Sequence, residues 1–214
     1  MTKKVLQETQ VFGPVYSYIQ YTETDELIIE VCENYQKKTY RNRYRLLTSN
    51  GITTLSIPLK KGKNNQTPIS EVLIAYDEPW HLQHLQTIRS AYGRSAYFEY
   101  YFPEIEEILM LEKSHLLDLN DLILKFFLKR LKLTVRHSHS ENYEKSTVTV
   151  SNHVTDFRNH KVPSDYTFIS YPQVWSDRFD FVPNLSILDL LFCMGHEAQY
   201  ILKNLNFVRN NNFN

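Results

Sequence analysis

The feature that most constrains the fold is a strand–helix–strand pattern at the start of the chain. Lys4–Thr9 has the pattern of a short strand, and Phe12-Gly13-Pro14 forms a turn whose proline suits the first position of a helix over Val15–Tyr21. Glu26–Val31, an apolar run rich in β-branched residues, predicts the next strand. Two strands joined by a helix run parallel when they share a sheet, so the sequence predicts an α/β fold.

The next segments indicate that the sheet is mixed. Asn50-Gly51 is a strong turn signal before an apolar segment, Ile52–Leu59, although Arg45–Leu47 fits either a strand or the end of a helix. A further strand is predicted over Ile69–Tyr76. We therefore expect a single domain whose central, mixed sheet includes a parallel βαβ pair and is surrounded by helices.

The second half of the chain is predicted to be mainly helical. Pro79 opens a helix that ends near Gly93, and Pro103 opens the next one. A third apolar stripe is formed by Leu119, Leu122, Ile123 and Phe126.

A further helix, Leu185–Met194, is capped by Ser186 and stopped by Gly195, and its all-round apolarity predicts burial.

Between these helices, a long polar stretch lacks apolar periodicity. A short strand is expected at Leu131–Val135, and residues 136–165 are expected to form a polar loop with one strand at Thr147–Val150. Residues 1–202 are predicted to form one domain, and the asparagine-rich residues 203–214 are predicted to fray.

Charge and composition exclude several classes of function. Lysine and arginine number 24, as do aspartate and glutamate, so no net charge attracts nucleic acid. The longest apolar run is too short to span a membrane, and the first ten residues lack a signal-peptide core, so we expect a cytoplasmic protein. Cys32 and Cys193 are expected to be small core residues. No motif identifies a metal, a cofactor or an oligomeric state.

The densest group of candidate ligand-binding residues follows the second predicted strand, where open α/β sheets place their ligand crevice. Arg41 and Arg43 offer planar guanidinium groups for an anion, and Tyr35 offers a ring for stacking. A solvated basic turn is the alternative interpretation. The group also supplies three polar side chains, Asn34, Lys37 and Asn42.

A second set of candidates lies farther along the chain and is predicted to wall the same pocket. It consists of His84, Tyr92, Tyr171 and Gln173, for which burial in the core is the alternative. Asp189 lies in the apolar helix, so its carboxylate must meet a cation or several donors. The segment Arg41–Arg45 is the richest supply of cations, and we expect one of its arginines to pair with Asp189.

Several motifs along nearly the whole chain resemble those of the WbqC-like family, which is linked with bacterial lipopolysaccharide and other surface-polysaccharide synthesis. They are Phe12-Gly13-Pro14-Val15-Tyr16-Ser17-Tyr18, Asn34-Tyr35-Gln36-Lys37, Arg41-Asn42-Arg43, Leu55-Ser56-Ile57-Pro58, Trp80-His81, Ala91-Tyr92, Tyr97-Phe98-Glu99 and Phe181-Val182-Pro183-Asn184-Leu185-Ser186-Ile187-Leu188-Asp189. The resemblance implies a transferase that acts on an activated, nucleotide-linked sugar, a small anionic ligand.

Two departures from the family pattern favour an alternative, a non-catalytic ligand-binding or scaffold protein of the same pathway. Many members end their first strand with His-Gln-Pro, where this chain has Glu8-Thr9-Gln10. A glycine-rich stretch common before the last motif is absent between Asp156 and Tyr171. The catalytic residues are therefore not assigned from the sequence.

Overall fold

The computed structural model describes residues 2–62, 64–143 and 154–211, with side chains described for all of these except residues 64 and 205–211. The strands are β1 (Lys4–Glu8), β2 (Glu26–Glu30), β3 (Arg43–Thr48), β4 (Gly51–Ser56), β5 (Arg136–His139) and β6 (Val154–Asp156). The helices are α1 (Val15–Tyr21), α2 (Trp80–Tyr92), α3 (Phe98–Met110), α4 (Leu116–Arg130), α5 (Ile187–Met194) and α6 (Ala198–Asn211).

Four strands form a parallel sheet in the order β5-β2-β1-β6. In the β1–β2 pair, Leu6 lies opposite Ile28, as expected for strands joined by a helical crossover. Because β2 lies on one side of β1 and β6 on the other, the chain reverses direction across the sheet at β1. Such a reversal opens a crevice at the carboxyl ends of the strands.

The antiparallel pair β3–β4 turns at Ser49-Asn50, within one residue of the predicted Asn50-Gly51 turn, and Gly51 begins β4 with a positive φ of 96°. The pair forms a two-stranded sheet of its own rather than joining the parallel strands. The predicted α/β class, with parallel and antiparallel strands and surrounding helices, is confirmed.

The C-terminal half of the core is centred on α5, whose residues from Ile187 to Phe192 are all fully buried. The Ser186 hydroxyl accepts a hydrogen bond from the Leu188 N–H at 3.3 Å and so caps the helix. Gly195 ends it with a φ of 53°, a conformation that favours glycine. Both predicted boundary signals of α5 are therefore confirmed.

Two predicted elements differ in the structure. Ile69–Glu71 is a single 3-10 turn, and the rest of the predicted strand over Ile69–Tyr76 makes only isolated bridges, so that prediction is wrong. The helix expected to open at Pro103 begins at Phe98. Phe98 and Phe102 are buried and stack at 4.5 Å, so apolar packing extends the helix ahead of the proline.

The polar stretch supplies the two outer strands of the parallel sheet. The strand expected at Leu131–Val135 forms later, as β5, and the predicted loop over residues 136–165 contains both β5 and β6. Each outer strand pairs on one side and is largely exposed, so neither shows apolar alternation. The strand predicted at Thr147–Val150 lies outside the described residues.

Three further features concern the last helix, the two cysteines and the lengths of the helices. The last helix continues past Lys203 to Asn211. Cys32 is exposed and Cys193 half-buried, so the prediction that both lie in the core is wrong for Cys32. Among the residues that the structure describes, no helix has the length and apolarity needed to cross a membrane.

Candidate functional site

A cleft of about 400 Å³ lies at the carboxyl end of β1, beside the end of β6 and the start of α1. Its position matches the crevice expected where the direction of a parallel sheet reverses, and its volume falls within the range of small-molecule sites. The side chains that line it come from five segments of the chain: Gln7, Glu8, Gln10, Pro14, Tyr16, Ser17, Lys38, Thr39, Tyr40, Phe157, Asn159, His160, Lys161, Val162 and Asn184.

Backbone contacts explain how distant segments converge on this cleft. The Val11 N–H donates to the Tyr40 carbonyl at 2.9 Å, which brings the segment after β2 to the end of β1. The Asn184 side chain accepts from the Tyr16 N–H at 3.0 Å and thereby holds the segment before α5 against the first turn of α1. Gly13 permits a close approach, because a Cβ there would collide with the Gln10 side chain.

The floor of the cleft is the carboxylate of Glu8, which is 3% exposed. Its Oε1 accepts from the Gln10 side-chain amide at 2.9 Å, and its Oε2 accepts from the Gln7 amide at 2.7 Å and from the Asn159 N–H at 2.9 Å. All three donors are neutral. Among the residues that the structure describes, the buried carbonyl oxygens of Gln7 and Gln10 have no hydrogen-bond partner, although both residues line the cleft.

Behind the floor, two buried arginines pair with the remaining carboxylates. Arg41 donates to Glu33 through Nε and Nη2, each at 2.7 Å, and its Nη1 donates to Asn159 at 2.9 Å. Arg158 donates to Glu30 at 2.9 Å and, with two atoms, to Asp156. Burial raises the pKa of Glu33, and the Arg41 charge opposes that rise.

The rim and walls differ in character from the floor. Lys38 and Lys161 line the cleft and are exposed, so they place positive charge at its mouth. Tyr16, Phe157 and His160 form an aromatic wall, with the Phe157 and His160 rings stacked at 4.3 Å and the Tyr16 and Phe157 rings 5.6 Å apart. Such rings suit the apolar face of a sugar or a base.

The cleft also concentrates unusual backbone conformations. Lys38, Asn159 and Asn184 line it, and all have left-handed φ values, of 62°, 53° and 54°. Non-glycine residues adopt this region at a cost, and such residues cluster at functional sites. The strain supports assigning function to this cleft.

The cluster predicted after β2 is divided between three environments. Arg41 is fully buried, and all the contacts of its guanidinium group described above are with protein, so it does not face the cleft. An open groove of about 310 Å³ is lined by Tyr35, Lys37, Asn42 and Arg43 among others, and the Tyr35 hydroxyl donates to Asn42 at 2.8 Å. Asn34 is exposed and makes an isolated bridge with Pro68.

The second predicted set lies in the core, away from the cleft. His84 Nδ1 is 2.9 Å from the Tyr44 hydroxyl oxygen, and burial lowers the pKa of His84 to about 4. The Leu47 N–H donates to the Tyr92 hydroxyl at 3.4 Å. These two side chains therefore pack the interface between α2 and β3.

Asp189 meets neutral donors rather than an arginine. Its Oδ2 accepts from the Tyr171 hydroxyl at 2.7 Å and from the Gln173 amide at 2.9 Å, and burial raises its pKa. The predicted ion pair with the Arg41–Arg45 segment is wrong, because Arg41 already pairs with Glu33. The two segments are nevertheless joined: Arg45 Nη2 donates to the Asn184 carbonyl at 3.0 Å.

Sequence analysis missed most of the cleft. The candidate segment after β2 includes Lys38, but the sequence predicts no ligand-binding role for Gln7, Glu8 or Gln10 on the floor, nor for Asn159 or Lys161. The available signal was the end of the first strand, where Glu8-Thr9-Gln10 replaces the His-Gln-Pro of the resembled family. Within the described residues, no group of three histidine, cysteine, aspartate or glutamate side chains is placed to hold a metal ion.

The fold is that of an α/β protein with a polar cleft at the point where the direction of its parallel sheet reverses. The chain matches the model of the WbqC-like protein family over residues 11–161 and belongs to that family. It is 29% identical over 208 residues to an uncharacterized protein of Mycobacterium tuberculosis, Rv1507c, with 84% of this chain and 88% of that protein covered. No solved structure gives a significant match.

Proposed function

We propose that the cleft binds an activated, nucleotide-linked sugar and that the protein is a group transferase of surface-polysaccharide biosynthesis. The observation that carries the proposal is the combination of an acceptor floor with a cationic rim in one cleft. Glu8, Gln7 and Gln10 supply acceptors for the donor groups of a sugar, and Lys38 and Lys161 supply charge for its phosphates.

The size and walls of the cleft support the same class of ligand. About 400 Å³ accommodates a sugar with part of its phosphate group, and the aromatic wall offers a surface on which a sugar ring or base packs. The anion site therefore shifts from Arg41 and Arg43, where the sequence placed it, to the two lysines at the mouth.

Titration calorimetry tests this proposal. A panel of uridine, thymidine and guanosine diphosphate sugars is compared with the free nucleoside diphosphates and the free sugars. At least one nucleotide sugar should bind more tightly than either of its parts. Replacing both rim lysines, in Lys38→Ala/Lys161→Ala, should weaken that binding about tenfold or more, because two charged contacts are lost.

The matched control is Lys61→Ala, since Lys61 is exposed and does not line the cleft. It should leave the affinity unchanged. Absence of binding across the whole panel contradicts the proposal, and so does an equal loss of affinity in the control.

The alternative, a non-catalytic ligand-binding or scaffold protein, is supported at the cleft by Glu8, which occupies the strand end where many family members carry His-Gln-Pro. Turnover of the bound nucleotide sugar, followed by mass spectrometry for this chain and for a His-Gln-Pro member on the same panel, separates the two functions. Binding by both proteins with turnover only by the other one favours the alternative.

A further inference from the structure

The parallel strands that meet beneath the cleft each end in a carboxylate. Glu8 ends β1, Glu30 ends β2 and Asp156 ends β6, while Glu33 follows β2 by three residues. Glu8, Glu30 and Glu33 are each at most 4% exposed. A group of buried carboxylates is costly unless each one meets a cation or enough donors.

The two arginines of this region are committed elsewhere. Arg41 pairs with Glu33, and Arg158 pairs with both Glu30 and Asp156. Three of these four carboxylates thus share two guanidinium groups. Within the described part of the chain, Glu8 forms no ion pair, although it is the carboxylate that lines the cleft.

A second, independent observation concerns the glutamines on either side of Glu8. Gln7 is 1% exposed and lines the cleft, and its Oε1 atom has no partner in the part of the chain that the structure describes. The buried Oε1 of Gln10 has none either. The orientation of both amides is fixed chemically, because turning either one over would place a carbonyl oxygen against the Glu8 carboxylate. Within the described residues, these two oxygens therefore have no donor and Glu8 has no counter-charge.

We infer that the floor binds a protonated primary amine on the ligand, so that the activated sugar of the proposed function, on which this inference rests, is an amino sugar. An ammonium group carries three donors and one positive charge. It supplies the counter-charge that Glu8 lacks and donors for the unpartnered oxygens of Gln7 and Gln10. A hydroxyl supplies one donor and no charge, and an N-acetyl group removes the charge and adds bulk.

The arrangement also separates the two charges of such a ligand. The amine lies at the acidic floor, and the phosphate lies at the mouth beside Lys38 and Lys161. A ligand bound in the reverse orientation would place its phosphate against Glu8. The cleft therefore selects both the group and the direction in which the sugar enters.

The test compares three ligands that share a phosphate and differ in one substituent: glucosamine 1-phosphate, glucose 1-phosphate and N-acetylglucosamine 1-phosphate, each also as its uridine diphosphate derivative. Calorimetry at near-neutral pH should show the amine ligand binding about tenfold or more tightly than the other two, as expected for a charge-assisted contact in a buried site. The preference should disappear in Glu8→Gln, while inorganic phosphate binds both proteins equally.

Two further variants make the result decisive. Glu8→Asp keeps the charge but shortens the side chain by one methylene, so it should reduce the preference without abolishing it, even if Glu8→Gln folds poorly. Glu107→Gln neutralises an exposed carboxylate outside the cleft and should change nothing.

Equal binding of the amine and hydroxyl ligands, or tighter binding of the N-acetyl ligand, overturns the inference and leaves the proposed function standing. Failure of every sugar phosphate and nucleotide sugar to bind overturns both.

Discussion

Removing Arg41 should destabilise the fold far more than removing an exposed cation. Its guanidinium is fully buried and makes two bonds of 2.7 Å to Glu33, which is itself only 4% exposed. Arg41→Met leaves that carboxylate buried without a counter-charge, which costs about 3–5 kcal/mol. If the free energy of unfolding falls by about 2 kcal/mol per molar urea, the urea concentration at the unfolding midpoint should fall by about 1.5–2.5 M.

The pH dependence of this loss follows from the pKa of Glu33. Burial already raises that pKa, and without Arg41 nothing opposes the rise. A carboxyl group whose folded pKa exceeds its unfolded value binds more protons in the folded state, so stability increases as pH falls through that window. The loss of stability caused by Arg41→Met should therefore be greatest near neutral pH and should shrink as the solution is acidified.

Urea unfolding followed by tryptophan fluorescence measures these effects, since Trp80 and Trp175 are both buried. Glu33→Met should also be costly, but the double variant Arg41→Met/Glu33→Met should recover much of the loss because no unpaired charge remains.

Lys3→Met breaks an exposed pair with Glu23 and is the matched control, with an expected loss below about 1 kcal/mol. A double variant whose loss equals the combined losses of the single variants would refute the coupling.

Two other predictions concern α5. Asp189→Asn keeps the acceptor for Tyr171 and removes a buried charge. Burial raises the pKa of Asp189 in the folded protein above 3.8, so the stability of the wild type should fall as pH rises through that value toward the folded pKa. The variant should lack this fall. Identical pH profiles of the two proteins in urea unfolding would contradict this prediction. Gly195→Ala should lower the melting temperature more than Gly51→Ala: both glycines have positive φ, but only at 195 would a Cβ strike the Tyr97 ring. The positive φ alone costs about 1 kcal/mol in either variant, so an equal fall in melting temperature for both would contradict the predicted collision with the Tyr97 ring.

The predictable part of the fold is the part encoded by local pattern. The turn at Phe12-Gly13-Pro14, the apolar strand around Ile28 and the Ser186 cap each act within a few residues, and all three appear in the structure. Strands β5 and β6 form only because they pair with β2 and β1, respectively. Their exposed sequences carry no alternation that would reveal them.

The sequence predicts a site near the candidate cleft, but most of the side chains that it names lie outside the lining of that cleft. The segment after β2 does reach the cleft, through Lys38 and its neighbours, yet Arg41 turns inward to Glu33. Residue type does not distinguish these orientations. The sequence predicts the ligand crevice at the end of β2, but the strand order reverses at β1. The reversal is created by β6, a strand that the sequence does not predict.

The floor of the cleft and the network behind it have opposite effects on stability. Arg41 and Glu33 satisfy each other, so breaking that pair weakens the fold whether or not a ligand is present. Among the described residues, Glu8 meets only neutral donors and no cation, and a buried carboxylate without a counter-charge costs stability. A cationic group that pairs with Glu8 offsets that cost, and stability then rises with ligand concentration by mass action. The inferred amine contact therefore predicts that ligand occupancy and fold stability are coupled at Glu8, whereas Arg41, bonded to Glu33 and Asn159, holds the walls of the cleft in place.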